Sequence, residues 1–589
     1  MAGSSDHRQI TWCLGAAVVL ALAAACTTSP VRVESDPPLP KAMARELADL
    51  VSAQDLLVQP DVHEELMRLT LAADQDRVND YLRAMGYYDA TLSLRRDDVE
   101  ATGRIVVDVQ PGPRYQLEDF TARWPKGYEG PRPAALPPER DATSPAILAT
   151  RAAIIRRLRE QGYPAPATTN LNIVVDHATR TVRVAFDVQP GTNAVFGDTR
   201  VEGLRRLRPS YVRKALPWKQ GDRYDIRKVE LLEQRLAASG LFSSIQTRRD
   251  NEVLVPGSDY PLAIALRERK ARTMQVGVGY KTDTGGEIAA QWQHRNLLGG
   301  GENLVVRGRV TEESNEAELR LTVPFFRRSD QTWGSSLRYE EENSDAYDSE
   351  TIQAESWISR QVNRRLTLRS GLALQYLDET QNEETELYYL VSLPSSATWD
   401  DTNDRLDATR GYRLLWQTQP FQSIDDASLF FWRNLGAGQG FQPLNRHKTW
   451  LVALRVSAGS LSAASLDAIP ADTRFYAGGG QSVRGYAYQA LSPRDEEGEI
   501  IGGRSLFESS LELRGRLTST IGLVAFIDGG AAYPETYPDF SETYRWGAGA
   551  GFRYFTPVGP LRFDAGVPLN RRDGIDDSWQ FYISIGQAF

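Results

Sequence analysis

Cysteine and long apolar runs are scarce in this sequence of 589 residues. Its two cysteines, Cys13 and Cys26, both precede residue 27, so the rest of the chain can form no disulfide and offers no thiolate for catalysis. The one long apolar run, from Ile10 to Ala25, is shorter than the roughly 20 residues that a membrane-spanning helix needs. Because backbone polar groups must be paired within lipid, a β-barrel is the remaining way for the mature chain to span a membrane.

Groupings of residues that are typical of enzymes are also missing. The sequence contains no Gly-x-Ser-x-Gly segment and no His/Cys spacing of a metal site, and its few histidines are scattered. We therefore predict no catalytic residue, no metal and no cofactor, and we expect the protein not to be an enzyme. A formal net charge of -9 predicts no nucleic-acid partner, since phosphate binding requires a basic face.

The N-terminus has the form of an export signal over residues 1–25. Arg8 precedes the apolar run, which ends in three alanines at 23–25. Cys26 follows directly, in a segment that resembles a bacterial lipoprotein cleavage box whose usual leucine is an alanine here. Two outcomes remain open: lipidation of Cys26, or ordinary signal cleavage nearby that leaves this cysteine as an incidental small residue.

The chain before residue 271 repeats itself. Three helical stretches end in glycine, at Gly86, Gly162 and Gly240, which are 76 and 78 residues apart. The phrase Asp-Val-Gln-Pro-Gly occurs at 108–112 and again at 187–191, 79 residues later. This period predicts three small α+β modules in series after a proline-rich tether. The predicted bounds are 26–44 for the tether and 45–117, 118–193 and 194–270 for the modules.

From residue 271 to residue 589, apolar and polar residues alternate in stretch after stretch. In the first stretch Met274, Val276 and Val278 lie on one face of a predicted strand. The last stretch alternates in the same way and closes on an aromatic residue, Phe589. The length of the region and the number of such stretches predict an all-β transmembrane barrel of about 16 antiparallel strands.

Two motifs resemble a known superfamily. Residues 474–486 (RFYAGGGQSVRGY) resemble the inward-folded sixth-loop motif of the BamA/TamA superfamily, in which POTRA modules precede an outer-membrane barrel. Residues 526–530 (FIDGG) match the Phe-x-Asp-x-Gly motif of the barrel wall that meets this loop. Three modules before the barrel are more similar to the TamA-type members than to the BamA-type members, which carry five. Cys26 and the acidic segment 494–499 depart from the family pattern.

The resemblance implies a lock between the inward-folded loop, predicted at residues 459–504, and the barrel wall. Arg484 is expected to reach Asp528, with Glu512 as a second acceptor. A guanidinium suits this role because its planar fork can donate to both oxygens of a carboxylate. The predicted lock residues are Val483, Arg484, Gly485, Tyr486, Glu512, Phe526, Asp528 and Gly530.

The resemblance also implies a lateral seam between the first and last strands of the barrel. Small residues leave few cross-strand side-chain contacts there. We therefore expect the seam to open and expose backbone groups with which an incoming strand can pair. The predicted seam residues are Gly277, Gly279, Ser584, Gly586 and Phe589.

The implied function is assembly at the bacterial outer membrane, with the POTRA modules in the periplasm and the barrel in the lipid bilayer. The resemblance implies a TamB-like periplasmic partner and assisted insertion of outer-membrane proteins, such as autotransporters, through the seam. Phospholipid transport with the same partner and a two-partner-type protein secretion pore remain alternatives. The expected cargo is therefore an outer-membrane protein or a phospholipid.

Overall fold

A computed structural model describes residues 30–57, 64–97, 104–133, 141–250, 259–281, 285–405, 407–445, 448–540, 544–556 and 559–585. The predicted signal peptide and Cys26 lie outside these residues. The chain divides into two compact units. The first comprises Met1–Asp198, Trp218–Val229 and Arg249–Leu262, and the second comprises Thr199–Pro217, Glu230–Arg248 and Ala263–Phe589.

The N-terminal part contains three α+β modules, as predicted. Each module has a three-stranded sheet, in the orders β1-β3-β2, β4-β6-β5 and β7-β9-β8. The strands are β1 (Val31–Ser35), β2 (Thr91–Asp97), β3 (Arg104–Gln110), β4 (Gln116–Arg123), β5 (Ala167–Asp176), β6 (Thr181–Gln189), β7 (Val195–Glu202), β8 (Phe242–Arg249) and β9 (Asp259–Glu268). The helices are α1 (Lys41–Asp49), α2 (Glu64–Ala84), α3 (Ser144–Glu160), α4 (Pro209–Ala215) and α5 (Ile226–Ala238), with a 3-10 turn at Ser52–Leu56. Among the described residues, no helix is both long and apolar enough to cross a membrane.

Helix α3 shows how local sequence shapes a module. The Thr143 hydroxyl accepts a hydrogen bond from the backbone N–H of Ala146 and caps the N-terminus. Ile154 and Leu158, one turn apart, are buried in one core with strand β6. Gly162 follows the helix with φ +93°, a conformation that glycine adopts readily. The predicted glycine stop is therefore present.

The predicted proline-rich tether over residues 26–44 is wrong in its described part. Strand β1 pairs in parallel with β3 through five residue pairs. Val31, Leu39 and Met43 are buried in the core of the first module. The prolines of the segment 37–40 occupy only the connection between β1 and α1. The first module therefore begins near residue 30, because burial of these apolar side chains stabilises an ordered strand and helix there.

The second unit contains a closed antiparallel barrel. Segments β17 and β18 are two parts of one strand, since both pair with β16 and β19 and only Leu393 and Pro394 separate them. Proline has no backbone N–H to donate to a ladder, which accounts for the interruption. The barrel thus has 16 strands, which confirms the prediction. The segments are β10 (Arg272–Lys281), β11 (Gly285–Arg295), β12 (Asn303–Val310), β13 (Ser314–Pro324), β14 (Gln331–Asn343), β15 (Asp348–Gln361), β16 (Leu366–Gln381), β17 (Glu384–Ser392), β18 (Ser395–Asp400), β19 (Gly411–Ser423), β20 (Phe430–Pro443), β21 (Trp450–Ser462), β22 (Ser505–Arg516), β23 (Ile521–Tyr533), β24 (Arg545–Thr556), β25 (Gly559–Pro568) and β26 (Gln580–Ile585).

The two faces of the barrel strands differ in polarity. Met274 and Val276, on the outer face of β10, are 71% and 65% exposed. Glu512 of β22 and Asp528 of β23 point inward and are buried. This arrangement, apolar outside and polar inside, is the one that a barrel in a lipid bilayer requires.

Strands β10 and β26, the first and last of the barrel, pair with each other and close it. Tyr280 is the register partner of Ile583, and Lys281 is the register partner of Tyr582. On its other edge β10 pairs with β11 through ten residue pairs.

Candidate functional site

The segment between β21 and β22, residues 463–504, folds into the barrel lumen, and we call it the sixth loop. It begins four residues later than the predicted start at 459, because β21 continues to Ser462. Phe475 and Val483 of the loop pack against the inward-facing Phe431 and Leu461 of the wall. The apolar contacts inside the lumen hold the loop against the wall.

Residues 471–474 of the sixth loop are anchored to strand β16. The Glu379 carboxylate accepts hydrogen bonds from the backbone N–H groups of Ala471, at 2.8 Å, and Asp472, at 3.1 Å. Arg474 donates from Nη1 to Oε1 of Gln381 at 2.9 Å. Hydrogen bonds to charged groups are stronger than neutral ones, so residues 471–474 are firmly held.

Arg484 belongs to the tip of the sixth loop, residues 483–486, and lies between three carboxylates. Its Nε lies 2.6 Å from Oδ2 of Asp528 and its Nη2 lies 2.9 Å from Oδ1, which is a two-point contact. Its Nη1 lies 2.7 Å from Oε1 of Glu512 and 3.2 Å from Oδ2 of Asp564. The guanidinium carbon lies 3.5 Å from the centroid of the Phe526 ring. Ion pairing and a cation–π contact therefore act on one side chain.

Three further arginines complete this group. Arg514 lies 2.7 Å from Glu512, Arg553 lies 2.5 Å from Asp564, and Arg562 also contacts Asp564. All of these side chains are buried, and buried charges are stable only when they are paired. We call the group the lock cluster; its members are Arg484, Glu512, Arg514, Asp528, Arg553, Arg562 and Asp564.

Glycines allow the loop tip to approach the wall. Gly485 has φ +101°, which side-chain-bearing residues rarely adopt. A Cβ added at Gly547 would lie 2.0 Å from the carbonyl oxygen of Arg484, and one at Gly530 would lie 2.9 Å from Cγ2 of Val483. Any larger residue at Gly547 would therefore displace the loop tip.

The loop tip also contacts the last strand. The Tyr582 hydroxyl of β26 accepts a hydrogen bond from the backbone N–H of Gly485 at 3.1 Å and donates to the carbonyl of Tyr486 at 3.4 Å. Tyr486 in turn donates from its hydroxyl to the carbonyl of Trp546 at 3.0 Å. Tyr582 is also the register partner of Lys281 at the barrel closure. A single tyrosine thus joins the sixth loop to the seam.

The structure brings all of the predicted lock residues together but only part of the predicted seam. A Cβ added at Gly279 would lie 3.4 Å from the carbonyl oxygen of Ile583, so this residue lies beside β26. In the part of the chain that the structure describes, no atom lies within 4 Å of a Cβ added at Gly277. The side chain of Ser584 and the residues Gly586 and Phe589 lie outside what the structure describes.

The predicted set lacks four members of the lock cluster and two residues that contact the loop: Arg514, Arg553, Arg562, Asp564, Gly547 and Tyr582. A sequence signal exists for Arg562 and Asp564, because they are charged residues at alternate positions of an otherwise apolar strand. Such charges must face the lumen. No comparable signal marks Tyr582 or Gly547, whose roles depend on how strands far apart in sequence meet the loop.

Comparison with known proteins agrees with this architecture. Residues 296–589 match the Omp85 superfamily domain, and residues 194–257 match the POTRA surface antigen variable number repeat. The outer membrane protein assembly factor BamA of Neisseria meningitidis serogroup B is 22% identical, over 88% of this chain and 73% of that protein. BamA of Nitratidesulfovibrio vulgaris is 24% identical, over 88% of this chain and 68% of that protein.

Two solved structures share the fold. BamA from Haemophilus ducreyi lacking POTRA domains 1-3 has a TM-score of 0.61 at 18% identity and covers 80% of this chain and 100% of that one. CdiB from Escherichia coli has a TM-score of 0.50 at 14% identity and covers 93% of this chain and 99% of that one. The chain belongs to the Omp85 (BamA/TamA) superfamily and is an outer-membrane protein with periplasmic POTRA repeats.

Proposed function

We propose that this protein is an outer-membrane protein assembly factor that inserts its cargo through the seam between β10 and β26. The observation that supports this function is the contact of the sixth loop with the barrel closure: Tyr582 of β26 accepts a hydrogen bond from Gly485 and is the register partner of Lys281 on β10. Separation of the two strands would expose backbone groups with which another strand can pair by β-augmentation. The names of the curated relatives, outer membrane protein assembly factors, support this function.

The sixth loop provides a means of controlling the seam. Tyr582 belongs to both the barrel closure and the contacts of the loop tip, so movement of the tip changes hydrogen bonds beside the closure. The lock cluster favours one position of the loop, because displacing Arg484 would leave the buried Asp528 carboxylate without its charged partner, at a cost of about 3 to 5 kcal/mol.

We also propose a periplasmic partner and a class of cargo. The arrangement of three POTRA modules before 16 strands, similar to the TamA-type members, supports a TamB-like periplasmic partner and autotransporter cargo. We propose that the protein acts without an enzymatic activity. Phospholipid transport with the same partner and a two-partner-type secretion pore are the alternative functions, and they differ from the first in the cargo that is moved.

A disulfide across the seam tests the proposal. In a Cys26→Ser background, the pair Tyr280→Cys and Ile583→Cys occupies directly opposed positions, whose Cα separation suits a disulfide. The matched control, Val278→Cys with Ile288→Cys, joins β10 to β11 away from the seam. Each variant is reconstituted into lipid vesicles, and folding of a urea-unfolded outer-membrane protein into the vesicles is followed with and without reductant.

Oxidation should stop assisted folding by the seam variant, reduction should restore it, and the control should remain active throughout. Full activity of a completely crosslinked seam variant would refute insertion through the seam. A fluorescent phospholipid supplied to the same vesicles separates the alternatives: lipid transfer that the seam disulfide blocks, without any effect on protein folding, would favour phospholipid transport.

A further inference from the structure

A polar cavity of about 220 Å³ lies on the lumen side of the barrel wall and shares no residue with the lock cluster. It lies beside Pro394, where β17 ends and β18 begins. Side chains from five neighbouring strand segments, β15, β16, β18, β19 and β20, line it. Its polar lining residues include Gln353, Arg369, Ser396, Gln417, Gln419 and Arg433.

Arg433 is a guanidinium without a carboxylate partner. Its Nε is buried, and the side chain makes no hydrogen bond and no ion pair with any residue in the part of the chain that the structure describes. Its guanidinium carbon lies 4.6 Å from the ring centroid of Phe475, and Asp472 acts on it only from beyond ion-pair distance. Because Nε is buried and no carboxylate pairs with the guanidinium, an anion bound beside it would stabilise this charge.

Neutral hydrogen-bond donors lie beside Arg433. Gln419 is its register partner on β19, and Ser396 and Gln417 are register partners on β18 and β19. Within the described chain, the side chains of Ser396 and Gln417 make no hydrogen bond, and neither does that of Gln353. These hydroxyl and amide groups are therefore available to donate to a ligand.

The one carboxylate that lines the cavity is already neutralised. Arg369 donates from Nη2 to Oε1 of Glu355 at 2.6 Å and lies over the Trp357 ring at 4.1 Å. Since that pair carries no net charge, Arg433 leaves the cavity with one excess positive charge. The Arg369 side chain is 39% exposed, so the cavity can be reached from the lumen.

We propose that this cavity binds a phosphate-type oxyanion, held by the guanidinium of Arg433 and by donors from Ser396 and Gln417. The guanidinium fork fits two phosphate oxygens, and the neutral donors satisfy the others without adding charge. Free phosphate and the headgroup of a phospholipid both supply this chemistry. Because the site shares no residue with the seam, it can exist whether or not cargo passes through the seam.

Titration with inorganic phosphate tests the site. The full-length protein is folded in a detergent that contains no phosphate group, and binding is followed by calorimetry and by the width of the phosphorus NMR line. The wild type should bind saturably, and Arg433→Gln should lower the affinity about tenfold or more, since a hydrogen bond to a charged group contributes about 1.5 to 3 kcal/mol. The matched control is Arg307→Gln, which removes another lumen-facing arginine, one that donates to Gln291.

The affinity of the Arg307→Gln control for phosphate should lie within about twofold of that of the wild type. A change in gel migration on heating shows that a variant is folded before heating. Gln417→Glu is a second variant: it places a carboxylate in the cavity, which should pair with Arg433 and exclude phosphate. Absence of saturable binding by the wild type, or an equal loss in Arg433→Gln and Arg307→Gln, would overturn the proposal. A titration with sn-glycerol 3-phosphate identifies the source, since tighter binding than inorganic phosphate indicates a lipid headgroup, and equal or weaker binding indicates the free ion.

Discussion

At the scale of single residues, the contacts of Arg484 depend on the planar shape of its guanidinium as much as on its charge. Nε and Nη2 face Asp528, while Nη1 faces Glu512 and Asp564. A planar fork of five N–H groups can lie within ion-pair distance of these three carboxylates at once. A lysine carries its donors on one nitrogen at the end of a flexible stem and cannot span them.

Arg484→Lys should therefore release the sixth loop nearly as fully as Arg484→Ala. Either variant removes the two-point partner of the buried Asp528 carboxylate, which costs about 3 to 5 kcal/mol, and Asp528→Asn should have a similar effect. The measurement is tryptic cleavage after Arg474, a loop residue that is 8% exposed in the locked position. Cleavage there should be slow in the wild type and fast in the variants.

The pairing of Arg484 with Asp528 has its own test. The double variant Arg484→Ala with Asp528→Ala should be little worse than either single variant, because removal of one partner already breaks the contact. Arg307→Lys, at a lumen position outside the lock cluster, serves as the control. Strictly additive defects, or normal protection of Arg474 in Arg484→Lys, would show that this pair does not hold the loop.

At the scale of strands, the seam between β10 and β26 is the predicted weak point of the barrel. Strand β10 carries Gly277 and Gly279, which offer no side chain for cross-strand contacts, whereas β15 and β16 share 14 register pairs. Amide hydrogens exchange with solvent when their hydrogen bonds open, and regions with few shared contacts open at low cost. We expect deuterium exchange in lipid nanodiscs to be faster in peptides from β10 and β26 than in peptides from β15 and β16. Equal protection of both regions would contradict a weak seam.

The strands also show what the sequence predicts well. A barrel strand faces lipid on one side, so its apolar residues recur at every second position, as Met274, Val276 and Val278 do. Strand β1 lacks such support: it is short, prolines follow it, and its partner β3 lies far along the sequence. A parallel pairing between distant segments leaves no local signal, which is why the segment 26–44 was predicted to be a tether.

Within the barrel, the sequence likewise predicts only part of the lock cluster. The contact of Arg484 with Asp528, with Glu512 as a second acceptor, is predicted from the resemblance of two motifs. Asp564 on β25 and Tyr582 on β26 reach the site because of how the last strands are aligned with one another. Each strand's register depends on the register of the strand before it. Register of this kind depends on every turn of the barrel and cannot be read from one segment.

At the scale of the whole molecule, hydrogen bonds join the first POTRA module to the second. Within the first unit, the Tyr115 hydroxyl donates to Oδ2 of Asp89 at 2.8 Å, and Nδ1 of His177 lies 2.7 Å from Oδ1. Asp89 follows the last helix of the first module, whereas Tyr115 is buried in the core of the second. Hydrogen bonds from Tyr115 and His177 lower the pKa of the Asp89 carboxyl below its ordinary value.

This junction leads to a prediction about charge and pH. Because the pKa of Asp89 is lowered in the folded protein, the junction contact is fully present above the ordinary aspartate value of 3.8 and is lost as the pH falls through the lowered value. Asp89→Asn should have the same effect at neutral pH, because a neutral amide accepts more weakly from the Tyr115 hydroxyl. Tryptic cleavage after Arg114, which precedes Tyr115 and donates from Nε to the Met85 carbonyl at 3.0 Å, reports on the junction.

Cleavage after Arg114 should be faster in the full-length Asp89→Asn variant than in the wild type at pH 7. Asp108→Asn is the matched control, because it removes an exposed carboxylate from β3 of the same module without touching the junction. Spin labels placed on the two modules should show a single distance at neutral pH and a broader distribution in Asp89→Asn. An unchanged distribution in that variant, or equal cleavage in both aspartate variants, would mean that the apolar packing around Tyr115 holds the junction and the carboxylate does not.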